Sequence, residues 1–500
     1  MIEMHSRRRF LTIAFGAAAA SAIAAACAPP QPTFTPLPPT PAPTKPAAAP
    51  TTAPAAAATA APAAGGAAAP TTAPAAGATP APAGAAPAAG GAATKLIFWT
   101  HNYQPLITFT QKKIEEYKKE APNVSIEYSN TDVPSHETRI VTTLAAGAGF
   151  PDGFNSGEYW VAMHNEKNNI QVIPPEAFGK STQNELIGLF YDYALPGLVV
   201  EGKMYAIPIE WNGLCLYYDI QAFKDAGIEA PPKTWDELSQ VAVKLTKRDA
   251  GGNITKPGFQ IHYKNPEWVL KRPNPMWIGL GSAVLSPDGQ EAWFNKPENI
   301  DAIQMYTDWT TKHKVSQPGY TVPNLTTSQS QMVNGYLPMQ TSGPYFAAAL
   351  KQADPNYKFK EKWDIAAHPQ WSADKKKKDT TALWRWALFV SRPSKNALEM
   401  SKFYNFVLKD WKGLHTEVGF IPSLKGWENE PYTKDLPWLP LQMEMLKIAV
   451  PIPQTPRYPE LAQQNMEMME RIESGQQTVK QSADEATKKM NDILKAARKA

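Results

Sequence analysis

The chain has 500 residues, 50 basic and 46 acidic side chains and two cysteines. This length exceeds one ordinary hydrophobic core, so we expect at least two packed units. Most of the formal net charge of +4 comes from Glu3, Arg7, Arg8, Arg9 and Lys45, which leaves about +1 for residues 95–500. We therefore expect no nucleic-acid partner, and two cysteines exclude a disulfide framework.

Residues 1–26 have the form of an export signal. Residues 6–11 (SRRRFL) resemble a twin-arginine motif, and an alanine-rich apolar stretch follows it. Cys27 comes after three alanines, a pattern that resembles a lipobox, although Ala24 stands where leucine is usual. We expect Cys27 to become a lipidated N-terminus. The alternative is an ordinary A-x-A cleavage site that releases a soluble protein.

Residues 27–94 are expected to hold the lipidation cysteine and a disordered tether. After Cys27 this segment has one aromatic residue, Phe34, and one charged residue, Lys45, among Ala, Pro, Thr and Gly. It cannot bury enough apolar surface to offset the entropy lost on ordering. All fifteen tryptophans lie after position 95, so the globular part is predicted to begin near Lys95.

The globular part opens with a strand–helix–strand pattern. Residues 95–100 (KLIFWT) predict a strand, residues 106–120 an amphipathic helix and residues 124–128 a second strand. This order implies a parallel α/β sheet, in which ligands bind at the carboxyl ends of the strands. Ser135 is expected to cap the next helix, which ends near Gly147.

Local signals agree most closely in residues 201–247. Residues 204–208 and 214–218 predict short strands, and a helix begins near Ile220. Thr234 and Glu237 have the spacing of a capping box for the helix that follows. The stretch contains the segment GKMYAIPIEWNGLCLYYDIQAFKDAGIEAPPKTWDEL.

That segment resembles the signature of extracellular solute-binding proteins of the family-1, maltose-binding-protein-like class, which feed ABC importers. The resemblance implies an α/β, two-lobed periplasmic-binding-protein-like fold of type II with three hinge crossovers. Residues 334–350 resemble the family's strand and Gly-Pro-aromatic turn, and residues 419–423 its last crossover. The implied boundaries are residues 95–208 and 384–420 for lobe 1, and residues 213–369 and 428–500 for lobe 2.

Catalytic motifs are absent from the sequence. It has no GxxxxGK[ST], HExxH, GxSxG or CxxC pattern, and its eight histidines lack the spacing of metal ligands. We therefore expect no enzyme activity, no metal and no cofactor. A glycoside hydrolase needs only two carboxylates, however, and 46 acidic residues leave that alternative open.

A sugar site needs an aromatic platform beside groups that bind hydroxyls. Trp211, between Glu210 and Asn212, provides both at the predicted hinge, although hinge packing is the alternative role for this tryptophan. Trp384 and Trp386 alternate with Arg385 on a strand, so the two indoles share a face. That pair has core packing as its alternative. The family resemblance implies these further contacts: His101, Asn102, Tyr103, Glu158, Tyr159 and Tyr345, and more loosely Trp277, Arg457 and Tyr458.

The sequence thus predicts an extracytoplasmic, lipid-anchored, monomeric receptor for a sugar, and an oligosaccharide in particular. Closure of the lobes around the ligand would produce the form that docks on the permease subunits of an ABC importer. One rival hypothesis is a secreted carbohydrate-active enzyme. Another is a receptor of the same fold for a polyamine, phosphate ester or peptide.

Overall fold

The structure is a computed structural model, and it describes residues 93–261, 266–318 and 328–498. The predicted export signal, the lipidation site at Cys27 and nearly all of the tether lie outside the described residues. Within the described ranges, no helix combines the length and the apolar character needed to span a bilayer.

Thirteen strands occur in the described part of the chain. They are β1 (Thr94–His101), β2 (Val124–Thr131), β3 (Gly153–Gly157), β4 (Val199–Val200), β5 (Lys203–Met204), β6 (Ile207–Gly213), β7 (Cys215–Asp219), β8 (Lys247–Arg248), β9 (Ile254–Lys256), β10 (Met339–Ser342), β11 (Trp363–Ala366), β12 (Thr381–Val390) and β13 (Ala449–Val450).

The α-helices in the same ranges surround these strands. They are α1 (Gln104–Glu120), α2 (Val133–Ala146), α3 (Val161–Glu166), α4 (Gln183–Ile187), α5 (Ile220–Asp225), α6 (Trp235–Leu245), α7 (Pro266–Lys271), α8 (Asn274–Gly279), α9 (Pro297–Thr311), α10 (Ser328–Val333), α11 (Tyr345–Ala353), α12 (Ala397–Leu408), α13 (Trp411–Gly413), α14 (Leu439–Lys447), α15 (Tyr458–Glu473) and α16 (Val479–Ala497).

A six-stranded sheet organises the first lobe. Its strand order is β13-β12-β3-β1-β2, and β6 also pairs with β12. The predicted parallel pairing is confirmed, because β1 runs parallel to both β2 and β3. Strand β12 is antiparallel to β3 and β6, and all ten of its residues are buried. The carboxyl ends of β1 and β3 therefore lie side by side.

The second lobe contains a three-stranded antiparallel sheet, β10-β7-β11. Its hydrophobic core joins residues of this sheet, such as Leu216 and Met339, to helices that include α9, α15 and α16. The first-lobe core is built separately on β1, β12, α1 and α12. Two cores with separate sheets make the molecule two-lobed, as predicted.

The chain crosses between the lobes at tightly packed segments. Strand β6 ends at Gly213 in the first sheet, and β7 begins two residues later in the second. A Cβ atom added at Gly213 would lie 2.8 Å from the backbone of Met445, so this crossing needs glycine. Strand β12 returns to the first sheet, and Leu424 is the last residue of the chain in the first-lobe core. Near these crossings a separate cluster packs Trp211, Tyr217 and Trp427 together.

Two local predictions can be compared with the structure. Thr234 caps α6 as expected, because its side chain accepts a hydrogen bond from the Glu237 backbone N–H. The prediction that Ser135 caps α2 was wrong. Asp132 is the capping residue, and its carboxylate accepts from the Ser135 backbone N–H. The helix therefore starts at Val133, three residues before the start that a Ser135 cap implies, and Pro134 is accommodated in its first turn because it has no N–H to satisfy.

Candidate functional site

A cavity of about 290 Å³ lies between the lobes, at the carboxyl end of β1. We call it the central cavity. It is lined by His101, Asn102, Tyr103, Gln104, Pro105, Val133, Glu210, Trp384, Trp386 and Phe420 from the first lobe, and by Trp268, Ser342, Tyr345, Phe346, Ala349 and Gln352 from the second. Seven of the sixteen lining residues are Trp, Tyr or Phe, so the wall is mainly apolar.

The imidazole of His101 and the indole of Trp386 form one wall of the central cavity. Their ring centroids are 3.7 Å apart and their planes differ by 17°. Asn155 on β3 accepts from the His101 backbone N–H at 3.0 Å, and its Nδ2 lies 2.9 Å from His101 Nδ1. Burial lowers the pKa of His101 to about 3. The ring is therefore neutral, and Nε2 carries its proton if Asn155 donates to Nδ1.

Tyr103 connects the two lobes at the edge of the cavity. Its hydroxyl is 2.8 Å from the backbone oxygens of Tyr345, in the second lobe, and Val418. The Tyr103 ring stacks on Phe420 and meets the Tyr345 ring edge-on, with centroids 5.9 and 6.5 Å apart. Closed lobes and an ordered Tyr103 therefore depend on each other.

Trp384 forms a further wall together with residues of the second lobe. Trp268 on α7 meets it edge-on at 5.4 Å, and Tyr345 lies 6.2 Å away. The ammonium of Lys271 is 4.1 Å from the centre of the Trp384 ring. Lys271 does not itself line the central cavity. The Trp384 indole is therefore exposed to the cavity, whereas the Lys271 ammonium contacts the indole without itself lining the cavity.

Glu210 is the buried polar group of the cavity wall. The Asn212 amide donates to its carboxyl at 3.3 Å. Burial raises the pKa of Glu210 well above its usual value, the Lys271 ammonium opposes this rise, and the Glu158 carboxylate adds to it. A protonated Glu210 can both donate to and accept from a ligand hydroxyl.

Trp211, the predicted aromatic platform, is not among the residues that line the central cavity. Side chains alternate along β6, so Trp211 points away from the face that carries Glu210 and Asn212. Its Nε1 donates to the Pro422 backbone oxygen at 3.1 Å, and its ring stacks on Tyr191. Asn212 is fully buried behind Glu210 and is not part of the lining.

Glu158, Tyr159 and Tyr458 are also placed away from the central cavity. Glu158 is fully buried and forms an ion pair with Lys271 at 2.9 Å. The Tyr159 hydroxyl donates to Glu267, and the Tyr159 ring stacks on Tyr458 with centroids 4.8 Å apart. These residues join the lobes to each other, and none of the three lines the central cavity.

Trp277 and Arg457 occupy two other environments. Trp277 is completely buried in the core of the second lobe. Arg457 forms ion pairs with Glu166 and Glu460 and lines a second cavity, of about 480 Å³. This second cavity also lies between the lobes, and it shares Val133 with the central cavity.

Trp268 and Phe420 line the cavity but were not among the predicted contacts. The sequence contains a usable signal for Trp268. A helix that begins at Pro266 places residues 268 and 271 on one face, so an indole and an ammonium project together. Among the described residues, no group of three or more His, Cys, Asp or Glu side chains is arranged to hold a metal ion.

A family profile described as bacterial extracellular solute-binding protein matches residues 100–410. The chain belongs to this family. A binding protein of Brucella abortus is 26% identical over 387 residues, which cover 76% of this chain and 89% of the relative. The sn-glycerol-3-phosphate-binding periplasmic protein of Salmonella typhimurium is 27% identical over 328 residues, covering 60% and 69% of the two chains.

Solved structures of similar proteins show the same fold. An ABC transporter solute-binding protein from Thermotoga lettingae, bound with α-D-tagatose, has a TM-score of 0.71 at 23% identity and covers 80% of this chain and 100% of its own. A maltose-bound protein of T. maritima has a TM-score of 0.69 at 20% identity with the same coverage. The protein is thus a two-lobed member of the bacterial extracellular solute-binding protein family.

Proposed function

We propose that the protein binds a neutral sugar in the central cavity and delivers it to the permease of an ABC importer when its lobes close. The observation that carries this proposal is the chemistry of the lining. Indole and phenol rings supply flat apolar surfaces for the C–H faces of a sugar. Glu210, Asn102, Gln104, Ser342 and Gln352 supply polar groups for its hydroxyls.

The electrostatics of the lining favour a neutral ligand over a phosphate ester. No Lys or Arg occurs among the described residues that line the central cavity. Lys271 approaches the site, but it is paired with Glu158 and lies against Trp384. A phosphate dianion would therefore lose its hydration without gaining a cation partner, which is unfavourable in a buried site.

A polyamine is disfavoured for the opposite reason. Glu210 is the one acidic side chain among the described residues of the lining. Burial raises its pKa well above the usual value, so it contributes little negative charge near neutral pH. A cationic ligand would find aromatic faces here but no fixed carboxylate.

The volume of the cavity limits the part of the ligand that it encloses. Small-molecule sites usually measure about 300–1,000 Å³, and 290 Å³ is at the lower end of that range. One or two sugar rings are the natural occupants. An oligosaccharide of greater length would extend past Val133 into the second cavity.

Receptor function is favoured over glycoside hydrolysis by the count of carboxyl groups at the site. Most glycoside hydrolases use two carboxyl groups, which lie about 5–5.5 Å apart in retaining enzymes and about 6.5–9.5 Å apart in inverting enzymes. Glu210 alone represents this group in the described lining of the central cavity. The enzyme hypothesis is tested by incubating the protein with a panel of glycosides and measuring released product. Multiple turnovers would contradict the proposal that the protein is only a receptor.

The sequence supports a lipid anchor at Cys27 and an extracytoplasmic location on the outer face of the membrane. Residues 28–94 would then act as a tether between the anchor and the lobes. We propose a monomer, with the permease as its protein partner. Mass analysis of the mature N-terminus tests the anchor, and an N-terminus without diacylglycerol would contradict it.

Ligand binding is tested by a thermal-shift screen of the purified protein. The probes are D-tagatose, D-mannitol, maltose and maltotriose, with sn-glycerol 3-phosphate and spermidine as charged controls. A probe at 100 times its Kd stabilises the folded state by about 2.7 kcal/mol, which gives a measurable rise in Tm. A shift with a neutral probe supports the proposal. If only a charged control raised the Tm, the proposed ligand class would be contradicted, whereas the assignment of the fold would not be affected.

A further inference from the structure

Helix α7 of the second lobe contacts the first lobe through side chains that share one face. Trp268 packs against Trp384, and Lys271, three residues later, reaches the same ring. The rest of α7 is fixed in its own lobe, because Val269 and Leu270 are buried in the second-lobe core with helix α15. This helix therefore carries second-lobe groups directly to the wall of the central cavity.

An ion pair between Lys271 and Glu158 lies on this face. The Lys271 ammonium is 2.9 and 3.2 Å from the two carboxylate oxygens. The side chains are 1% and 0% exposed, respectively. Glu158 directly follows β3 of the first sheet, so the pair joins the two lobes. Both charges can be withdrawn from water in this way only when the lobes are together.

The same ammonium contacts two aromatic rings of the first lobe. It lies 4.1 Å from the centre of the Trp384 ring and 5.5 Å from that of Tyr159. Trp384 lines the central cavity, so a shift of Lys271 would move a ring that a ligand would contact. A desolvated ammonium against an indole face is an attractive interaction that fixes the ring.

We propose that Glu158 and Lys271 form a closure latch, and that Lys271 is a positioning residue that sets Trp384 against the ligand once the lobes are closed. This inference rests on the proposed function in that ligand binding accompanies closure. A buried ion pair adds little net stability, but a closure that misaligns it leaves an unpaired buried charge at high cost. The latch therefore selects one closed arrangement of the lobes.

Three variants of the full chain test the latch: K271M, E158Q and the K271M/E158Q double variant. Binding is measured by titration calorimetry with whichever of D-tagatose, D-mannitol, maltose and maltotriose binds the wild type. Each single variant leaves one buried charge without its partner and should weaken binding about 100-fold or more. The double variant removes both charges and should return to within about tenfold of the wild type.

K113M provides a matched control. Lys113 is also a buried lysine, with a side chain 7% exposed, and it pairs with Glu116 and Asp410. Its ammonium lies 4.6 Å from the Phe406 ring centre. All of these groups belong to the first lobe. K113M should lower the Tm while leaving sugar affinity within about threefold of the wild type.

The pH dependence of binding separates a latch from general damage. Relative to the wild type at each pH, E158Q should recover affinity as the pH rises, because burial lowers the pKa of Lys271 and its side chain can then be buried as a neutral amine. K271M, which lacks the amine, should show no such recovery. The other ionisable groups around the pair are Arg385, Glu210 and Tyr159 from the first lobe, and Glu267 on α7 and Tyr458 at the start of α15 from the second. Lys271 and Glu158 act with opposite signs on the pKa of Glu267, so the pH series is repeated with E267Q added to each variant.

Hydrogen exchange gives a readout that needs no sugar. Without ligand, K271M should raise amide exchange in residues 156–166 and 266–272 and leave β1 and β7 unchanged, whereas K113M should not. Unchanged exchange in those two segments would overturn the latch. Single variants that bind like the wild type, or a double variant as weak as the singles, would also overturn it. A wild type that binds none of the sugars contradicts the proposed function instead, and the exchange result then decides the latch alone.

Discussion

His101 at the end of β1 and Trp386 on β12 stack with their ring centroids 3.7 Å apart. Strand β3 lies between their two strands, and its residue Asn155 bonds to both the backbone and the ring of His101. The sheet order and one amide therefore hold a neutral imidazole against an indole. A ligand bound in the central cavity would meet this pair as a preformed surface, which would lower the entropy cost of binding.

Replacement of Trp386 by alanine should weaken sugar binding by about 30-fold or more, because the exchange removes both an aromatic platform and the support of His101. W386F keeps a ring in place and should lose less than tenfold. Isothermal titration measures both values, and circular dichroism confirms that the variants are folded. Equal affinities for the wild type and W386A would show that the ligand does not use this wall.

Trp211 should behave differently, because it packs among the crossing segments. W211F removes the hydrogen bond from Nε1 to the Pro422 oxygen and should lower the free energy of unfolding by about 1–3 kcal/mol. Sugar affinity should stay within about threefold of the wild type. Urea unfolding and titration with the same sugar give the two numbers. A large loss of affinity at unchanged stability would place Trp211 at the ligand after all.

Alternation along a strand predicts which side chains share a face, but it does not predict which face lines a cavity. Alternation on β12 placed Trp384 and Trp386 together, and both line the central cavity while Arg385 bonds to backbone oxygens elsewhere. The same alternation applies to β6. It separates Trp211 from Glu210, although their adjacency in the sequence suggested one combined site.

Contacts between lobes could not be predicted from local patterns. Trp268 and Trp384 meet because α7 of one lobe packs against β12 of the other, and no periodicity in either segment encodes that meeting. Glu158 was expected to contact a ligand on the strength of its loop. It is paired instead with Lys271, a residue whose charge gave no sign of burial in the sequence. Interlobe geometry decides both cases.

The crossing at Gly213 should be sensitive to a single added methyl group. In G213A the new Cβ would lie 2.8 Å from the Met445 backbone carbon, and backbone atoms cannot move aside as a flexible side chain can. We expect a loss of about 1–3 kcal/mol in the free energy of unfolding, measured with urea. G188A is the control, because its added Cβ comes no nearer than 3.3 Å to another atom and its φ is −61°. Equal stability of G213A and the wild type would show that the backbone near Gly213 and Met445 can move to accommodate the methyl group.

Sugar affinity should fall as the pH rises through neutrality, because two carboxyl groups from opposite lobes line the second cavity. Burial raises the pKa of Glu267 to about 7, with Glu158 adding to the rise and Tyr159, Lys271 and Trp160 opposing it. Burial, and then the charge of Glu267, raises the pKa of Glu137 well above its usual value. When the lobes separate, water reaches both groups and their pKa values should return towards about 4.5.

Affinity should fall with rising pH because both carboxyl pKa values are raised in the closed form. The closed form holds more protons than the open form between about pH 5 and 7, so closure is fully favoured below this window and is progressively disfavoured as the pH rises through it. Titration at pH 5, 6, 7 and 8 should show affinity falling by up to about tenfold per pH unit in this window. E267Q should make the profile shallower, with Glu137 and Glu210, whose pKa values burial also raises, producing the remaining slope. E460Q, which changes a carboxylate of the same cavity that pairs with Arg457, should keep the wild-type profile. A flat wild-type profile, or an E267Q slope equal to that of the wild type, would mean that closure does not take up a proton at Glu267.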